Sequence, residues 1–299
     1  MRRFSPGALA FNVVMVGGVA SVLTVLLMGN PSVPAWALGV MWAVAAGVIL
    51  LRMRRWLRRL AHSPEPAPVI TAALERDVDF YQRLDPDGQR RFRHAVRYFL
   101  LDQTITGVGI KVDDELRALV AASAVILSFG MPEYEWDATR DIVVYPDAFD
   151  EDYTIGKGKG RLGQVSRQGP IIFSARALRL GFARSNDGHN VGLHEFAHVL
   201  DFEDGEVDGL PSHLNWAAIR PWLEEMKVLM ERRDRAGRRH QVLRDYGYTN
   251  EAEFFACATE MFFEQPGRLE AKAPELFALM ADFYRQRPGD TTLAGGQAR

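Results

Sequence analysis

His194-Glu195-Phe196-Ala197-His198 forms an H-E-x-x-H motif in an apolar segment whose pattern predicts a helix. The two histidines are just over one helical turn apart, so both imidazoles project from one face and can bind one metal ion. Glu195 follows the first histidine, where its carboxylate can reach a water on the metal without binding the metal itself. The same five letters also occur on ordinary solvated helix faces. Two nitrogen ligands, an open coordination position and an adjacent base nevertheless predict a catalytic zinc site.

A catalytic zinc ion needs a third protein ligand. Four side chains that follow the motif are candidates: Glu253, Glu260, Asp204 and Cys257. Glu253 lies in a second apolar helical segment, and a carboxylate from a separate helix completes a common His2Glu catalytic site. Glu260 is two turns further along the same face of that helix. We therefore predict Glu253 as the third ligand and Glu260 as a carboxylate that orients a ligand.

The other two candidates have competing interpretations. Asp204 stands where the long metzincin motif carries its last ligand, but that motif needs a glycine where this chain has Asp201. Cys257 lies beside apolar residues in a helix, a position more typical of a small buried side chain than of a ligand. Asp201 shares a helical face with His194, so it either accepts a hydrogen bond near the ligands or is simply solvated.

Several segments match a known pattern. They are 194–201 (HEFAHVLD), Tyr246, 252–260 (AEFFACATE), 141–146 (DIVVYP), 168–173 (QGPIIF) and the closing helix near 284–286. In these segments, which span roughly residues 85–288, the chain resembles the Mlc titration factor A family of zinc peptidases. The catalytic core of that family is in turn similar to that of anthrax lethal factor.

The resemblance implies a zincin-like peptidase domain with one zinc ion held by His194, His198 and Glu253. It also implies that Glu195 acts as the general base in peptide-bond hydrolysis and that Tyr246 supports the oxyanion. The family name refers to binding of a transcriptional repressor of sugar uptake. The alternative function is therefore a binding module that sequesters a cytoplasmic transcriptional regulator, with little or no catalysis.

Two segments near the N-terminus, 8–28 and 33–51, contain no charged residue, and each approaches the ~20 residues of a membrane-spanning helix. Arginines flank them on one side of the membrane: Arg2, Arg3, Arg52, Arg54, Arg55, Arg58 and Arg59. A cleaved signal peptide is the alternative for the first segment, but a second apolar segment follows at once. The pattern predicts that residues 1–62 form a transmembrane hairpin. The hairpin would lie in a bacterial-type inner membrane, with both termini and the catalytic domain in the cytoplasm.

Charge and cysteine content limit the partners of the chain. The chain has 36 Lys and Arg against 38 Asp and Glu, and the N-terminal arginines leave the remainder clearly acidic. An acidic domain argues against nucleic acid as a ligand, since phosphate binding needs a basic face. The single cysteine excludes an intramolecular disulfide and fits a reducing compartment. The predicted partners, from the motif, the resemblance and the N-terminal segments, are a peptide or protein substrate and the membrane, with a cytoplasmic transcriptional regulator in the alternative function and no nucleic acid.

The remainder divides into a proline-rich linker at 63–84, one domain at 85–288 and a disordered tail at 289–299. Few strands beside many helices predict an α+β fold that is mostly helical with a small sheet. The predicted helices cover 87–100, 113–129, 190–203, 221–233, 251–264 and 274–286, the second of them as a buried core helix.

Two strands are predicted, at 141–146 and 169–174, with a glycine-rich loop at 155–163 between them. The second strand is either an edge strand, on which an extended peptide could pair, or an interior strand. Asp187 is predicted to cap the start of the helix that carries the H-E-x-x-H motif.

Overall fold

The structure, a computed structural model, describes residues 17–26, 34–61, 65–131, 134–136, 141–148, 163–164, 169–202, 208–211, 214–236 and 241–289. The chain divides into two compact units, residues 1–64 and 65–299. Several sequence-based expectations lie outside the described residues. They concern the candidate ligand Asp204, the glycine-rich segment 155–162 and the tail 290–299.

The first unit contains two helical segments, at residues 17–26 and Ala35–Ala61. The Trp42 indole N–H donates a hydrogen bond to the Thr24 hydroxyl at 2.9 Å and so joins them. Among the helices in the described parts of the chain, none is both long enough and apolar enough to cross a bilayer. The predicted transmembrane hairpin over 1–62 is therefore not confirmed.

The second unit is mostly helical. Its ten α-helices, α1 to α10, are Pro68–Asp77, Asp79–Gln82, Pro86–Asp102, Asp114–Ser128, Ala175–Ala183, Val191–Asp201, Trp216–Ala236, Glu251–Glu264, Pro266–Lys272 and Pro274–Tyr284 in the described residues. A 3-10 helix at Asp245–Tyr248 precedes α8. The predicted helices are all present, with ends that differ by a few residues.

The predicted linker at 63–84 is wrong over most of its length. Helices α1 and α2 occupy it, and Ile70, Leu74 and Phe80 are buried in the core of the second unit. Ile70 and Leu74 are one helical turn apart, so this apolar spacing makes a packed helix where the prolines had suggested an extended spacer. The compact domain therefore begins near residue 65 instead of 85.

A four-stranded sheet accompanies the helices. Its strands are β1 Ile105–Gly107, β2 Ile142–Tyr145, β3 Gly163–Gln164 and β4 Ile171–Ser174, and their order is β1-β2-β4-β3. Strand β2 runs parallel to β1 and β4, whereas β3 is antiparallel to β4. The two predicted strands are confirmed as β2 and β4. Strand β4 is interior, so the edge beside it is formed by β3.

The core is centred on α4, which is buried along nearly its whole length. Helix α4 packs against α1, α3, α5 and α6, and α6 packs in turn against α8. The prediction of a buried core helix at this position is confirmed. Because α6 carries the H-E-x-x-H motif and α8 carries Glu253, their packing brings the two predicted metal-binding segments together.

Candidate metal centre

The motif lies on α6, a helix with a well-defined start. The Asn190 side chain caps it by accepting a hydrogen bond from the Leu193 N–H at 3.2 Å. The predicted cap, Asp187, instead accepts from the His189 N–H at 2.9 Å. Every residue of α6 from Gly192 to Asp201 is buried, so the alternative that the motif lies on a solvated helix face is wrong.

Three side-chain atoms converge beside α6. The Nε2 atoms of His194 and His198 are 3.2 Å apart, and Oε2 of Glu253 lies 3.0 Å from the first and 3.5 Å from the second. Zinc bound tetrahedrally at about 2.0–2.1 Å keeps its ligand atoms about 3.3 Å apart. The three atoms therefore form a triangle of the size that a zinc ion requires, with a fourth position left for water or substrate.

The charges of the three side chains in this triangle depend on one another. Burial alone would raise the pKa of Glu253, but hydrogen bonds from His194 and His198 outweigh it and hold that pKa well below its usual range. Burial alone would lower the pKa of His194, but the charge of Glu260 and the contacts with Cys257 and Glu253 raise it well above its usual value. A metal ion held by His194, His198 and Glu253 would require His194 in its neutral form and would supply the positive charge in place of its proton.

A second group of candidate ligands lies on the other side of the His194 ring, where Cys257 and Glu260 approach Nδ1. The Arg244 guanidinium lies within this group. It donates to Glu260 Oε1 at 2.6 Å and to Cys257 Sγ at 3.2 Å. Because a permanent cation already supplies the positive charge, this group is a poor metal site. The triangle with Glu253 is therefore the candidate metal centre.

Glu260 orients the His194 ring. Its Oε1 atom lies 2.7 Å from His194 Nδ1, and its Oε2 atom accepts from the Asn190 N–H at 2.7 Å. A carboxylate on the second nitrogen of a histidine ligand fixes the ring and its tautomer. This is the role predicted for Glu260. Asp201 is fully buried, so the alternative that it is a solvated side chain is wrong.

Glu195 is buried beside the triangle, under the edge strand β3. Burial raises the pKa of its carboxyl to about 7, and the charge of His194 opposes this rise. The backbone of Gly163 in β3 passes directly over it, since a Cβ built at Gly163 would lie 2.6 Å from Cδ of Glu195. Only glycine leaves room for the carboxylate in this position.

Tyr246 reaches the same point from the 3-10 helix. Its hydroxyl donates to Glu253 Oε1 at 3.0 Å, and its ring centroid is 6.0 Å from that of His194. Burial and the charge of Glu253 raise the pKa of Tyr246 to about 12, so the phenol keeps its proton at neutral pH. The residue is 51% exposed and lines the cleft.

The structure thus brings together all five residues that the sequence analysis selected. These residues line one cleft of about 1300 Å³. One wall of the cleft is a face of α5, with the half-exposed Leu180 between Arg176 and Arg184. Tyr246 and the start of α8 also line the cleft, together with the three candidate ligands.

The sequence analysis missed three residues that shape the site. Arg244 contacts Glu260, and Gly163 lies over the base candidate, as described above. Glu264 accepts backbone hydrogen bonds from Gly188 at 2.9 Å and from His189 at 3.0 Å, just before α6. Burial raises the pKa of Glu264 to about 8. Its place one turn after Glu260, on the face of α8 that meets α6, was a usable signal.

Two histidines and a glutamate around one point, with a buried carboxylate beside them and an open cleft above, are the arrangement that metal-dependent hydrolases use. Comparison with known proteins agrees. The profile of the Glucose-regulated metallo-peptidase M90 family matches residues 51–285, and the chain belongs to this family.

Similar proteins come from several bacteria. An uncharacterized protein of Synechocystis sp. is 29% identical over 251 residues, which cover 77% of this chain and 88% of that protein. Mlc titration factor A of Edwardsiella ictaluri is 31% identical over 193 residues, 58% of this chain and 73% of that protein. Mlc titration factor A of Cronobacter sakazakii is 26% identical over 252 residues, with coverage of 79% and 93%. The resemblance to these factors is confirmed, while the likeness to lethal factor stays a prediction.

Proposed function

We propose that this protein is a zinc-dependent peptidase that hydrolyses peptide bonds with Glu195 as the general base. The observation that carries the proposal is the triangle of His194, His198 and Glu253, whose sides of 3.0, 3.2 and 3.5 Å match a tetrahedral zinc ion. Membership of a metallopeptidase family supports the same reaction. Zinc content and peptide cleavage, measured together in the full-length protein and in its Glu195→Gln variant, test the proposal.

The proton transfers belong to Glu195. When bound, zinc would supply a Lewis acid that acidifies water and polarises the scissile carbonyl. Glu195 then takes a proton from the attacking water and delivers it to the leaving amine. Burial raises the pKa of the Glu195 carboxyl, and a raised proton affinity suits a group that must both accept a proton and return it.

Tyr246 is proposed to stabilise the oxyanion by a hydrogen bond. Its hydroxyl already points at the ligand set through Glu253 Oε1, 3.0 Å away. A neutral phenol at this position can donate a hydrogen bond to the charge that develops on the carbonyl oxygen, which is where such a bond contributes to rate.

The Tyr246→Phe variant is expected to lower kcat by about 10²- to 10³-fold, the usual loss when one oxyanion donor is removed. KM and zinc content should change little, because the ring stays in place and the phenol binds no metal. Steady-state kinetics on one peptide, with zinc measured in the same sample, give both quantities. Tyr248→Phe is the matched control, since within the described residues that hydroxyl accepts from the Val242 and Leu243 N–H groups. Equal kcat in the Tyr246 variant and the wild type would exclude this role.

The Gly163→Ala variant is expected to lower kcat by about 100-fold at unchanged zinc content. The new methyl group collides with the Glu195 carboxylate and shifts it, and a shift of about 1 Å in a catalytic group can reduce the rate by this factor. Gly267→Ala is the control, since a Cβ at Gly267 meets nothing within 4 Å. The measurements are kcat and bound zinc in both variants. Full activity of Gly163→Ala would show that β3 moves to accommodate the methyl group and that the backbone of β3 does not position Glu195.

A second function is favoured by the names of the relatives. Several are titration factors for Mlc, so we also consider that this chain binds a transcriptional regulator, with or without cleaving it. The Glu195→Gln variant separates regulator binding from peptide cleavage, because a pure binding module needs no general base and keeps its full affinity for the regulator in that variant. Loss of cleavage with retained regulator binding would mean that both functions coexist.

Attachment to a bacterial-type inner membrane, with the catalytic unit in the cytoplasm, is also proposed. The uncharged segments 8–28 and 33–51 and the arginines that flank them support it. Cell fractionation with alkaline washing tests it, and recovery of the full-length chain in the wash would reject it.

A further inference from the structure

Arg244 connects the supports of the metal centre. It stands immediately before the 3-10 helix, and its side chain is 28% exposed. Its guanidinium donates to Glu260 Oε1 at 2.6 Å and to Cys257 Sγ at 3.2 Å, and it lies 2.5 Å from His189 Nδ1. The NH2 group that donates to Glu260 also lies 3.3 Å from His194 Nδ1. One side chain thus contacts α8, the start of α6 and a predicted ligand.

The contact with Glu260 has an electrostatic reason. Glu260 is 1% exposed and accepts from Arg244, from His194 and from the Asn190 N–H. A buried carboxylate is costly unless a cation and hydrogen bonds compensate it. A metal-bound histidine is neutral, so His194 then supplies a hydrogen bond to Glu260 without a full charge. Among the side chains described, Arg244 is the remaining cation that contacts Glu260.

Arg244 also leads into the turn that carries Tyr246. Its carbonyl accepts from the Gly247 N–H at 3.0 Å, and its guanidinium carbon lies 5.7 Å from the centroid of the Tyr246 ring. Because the guanidinium is fixed on Glu260, the start of the 3-10 helix is fixed relative to α8. The position of the phenol therefore depends on the same ion pair as the orientation of His194.

We propose that Arg244 is a positioning residue for both parts of the site: through Glu260 it holds the His194 ring for metal binding, and through the 3-10 helix it holds Tyr246. The second half rests on the proposed peptidase function. The first half does not, because metal affinity can be measured without any substrate.

The first experiment measures zinc affinity by competition with a chromophoric chelator in the full-length protein. Arg244→Met is expected to weaken zinc binding by about 10- to 100-fold, the usual effect of removing an outer partner of a metal ligand. Arg244→Lys should recover part of the loss, since it keeps the charge but loses the fork of donors. Arg220→Met is the control, because in the described part of the chain Arg220 pairs with the exposed Glu224. Wild-type affinity in Arg244→Met would overturn the proposal.

A double-mutant cycle shows whether the effect passes through Glu260. If it does, Glu260→Gln and Arg244→Met together should cost about as much zinc affinity as the larger single change, because each removes the same ion pair. Losses that multiply would overturn this route. Thermal unfolding checks each variant, and if Arg244→Met does not fold, the cycle is run with Arg244→Lys.

Kinetics at saturating zinc test the second half. Arg244→Met should lower kcat with little change in KM, and adding Tyr246→Phe should then cost much less than it does in the wild type. An undiminished effect of Tyr246→Phe would overturn the link to the turn. If the zinc-loaded wild type cleaves no peptide, the proposed function fails, while the zinc affinities still decide the role of Arg244 at the metal centre.

Discussion

Glu195→Gln is expected to lower kcat for peptide hydrolysis by about 10²- to 10⁴-fold, the contribution typical of a positioned acid–base group. Glutamine has nearly the same shape, but it cannot accept the proton of the attacking water. Glu195 is not among the three atoms of the ligand triangle, so the variant should keep one equivalent of zinc with unchanged affinity. Lost turnover with retained metal is the result that distinguishes a base from a ligand.

The measurement uses a mixed peptide library, with cleavage followed by mass spectrometry and zinc determined in the same preparation. Glu251→Gln is the matched control, since it removes an exposed carboxylate at the start of α8, two positions from Glu253. Cleavage that persists at the wild-type rate in Glu195→Gln would reject the mechanism. Zinc binding without cleavage, in the wild type as well as the variant, would favour the regulator-binding function.

Glu253→Ala is expected to weaken zinc binding by more than about 100-fold. The change removes one of three ligands, and even the partners behind a ligand contribute 10- to 100-fold. It also removes the acceptor of the Tyr246 hydroxyl, so activity should be lost even at high zinc concentration. Chelator competition gives the affinity.

Two further variants make the result specific. Glu253→Gln keeps the shape of the side chain and should also bind zinc weakly, because an amide oxygen is a weaker zinc ligand than a carboxylate oxygen. Glu251→Ala should bind zinc like the wild type. Intact affinity in Glu253→Ala would show that the third ligand lies elsewhere, and Glu260 and Cys257 would be the next candidates.

The three side chains of the candidate metal centre were accessible from the sequence because regular helices carry them. A spacing of four residues fixes His194 and His198 on one face whatever the rest of the fold does. Glu253 required only that a second apolar helix pack against the first, which two buried helices of one core readily do. Arg244 and Gly163 had no comparable signal. Arg244 precedes a short 3-10 helix, and Gly163 lies in a two-residue strand. Their positions are set by tertiary packing alone.

The errors have physical causes as well. Strands β1 and β3 have three and two residues, which is too short for an alternating pattern to appear. The linker prediction gave more weight to prolines than to the helical spacing of Ile70 and Leu74. Proline at the first turn of a helix is well tolerated, and Pro68 begins α1 in this way.

If the protein binds zinc as proposed, the packing of α6 against α8 has a consequence for its response to zinc supply. Phe196 and Leu200 on α6 and Phe254 and Phe262 on α8 are buried in the common core, so apolar packing is sufficient to hold the two helices together. Small zinc domains fold only with their metal, whereas here chelation should leave the secondary structure and the cooperative unfolding intact. The metal would then exchange with a folded receptor, and the fraction of active molecules in a cell would follow the ratio of free zinc to Kd. The proposed peptidase activity would then depend on metal availability as well as on peptide supply.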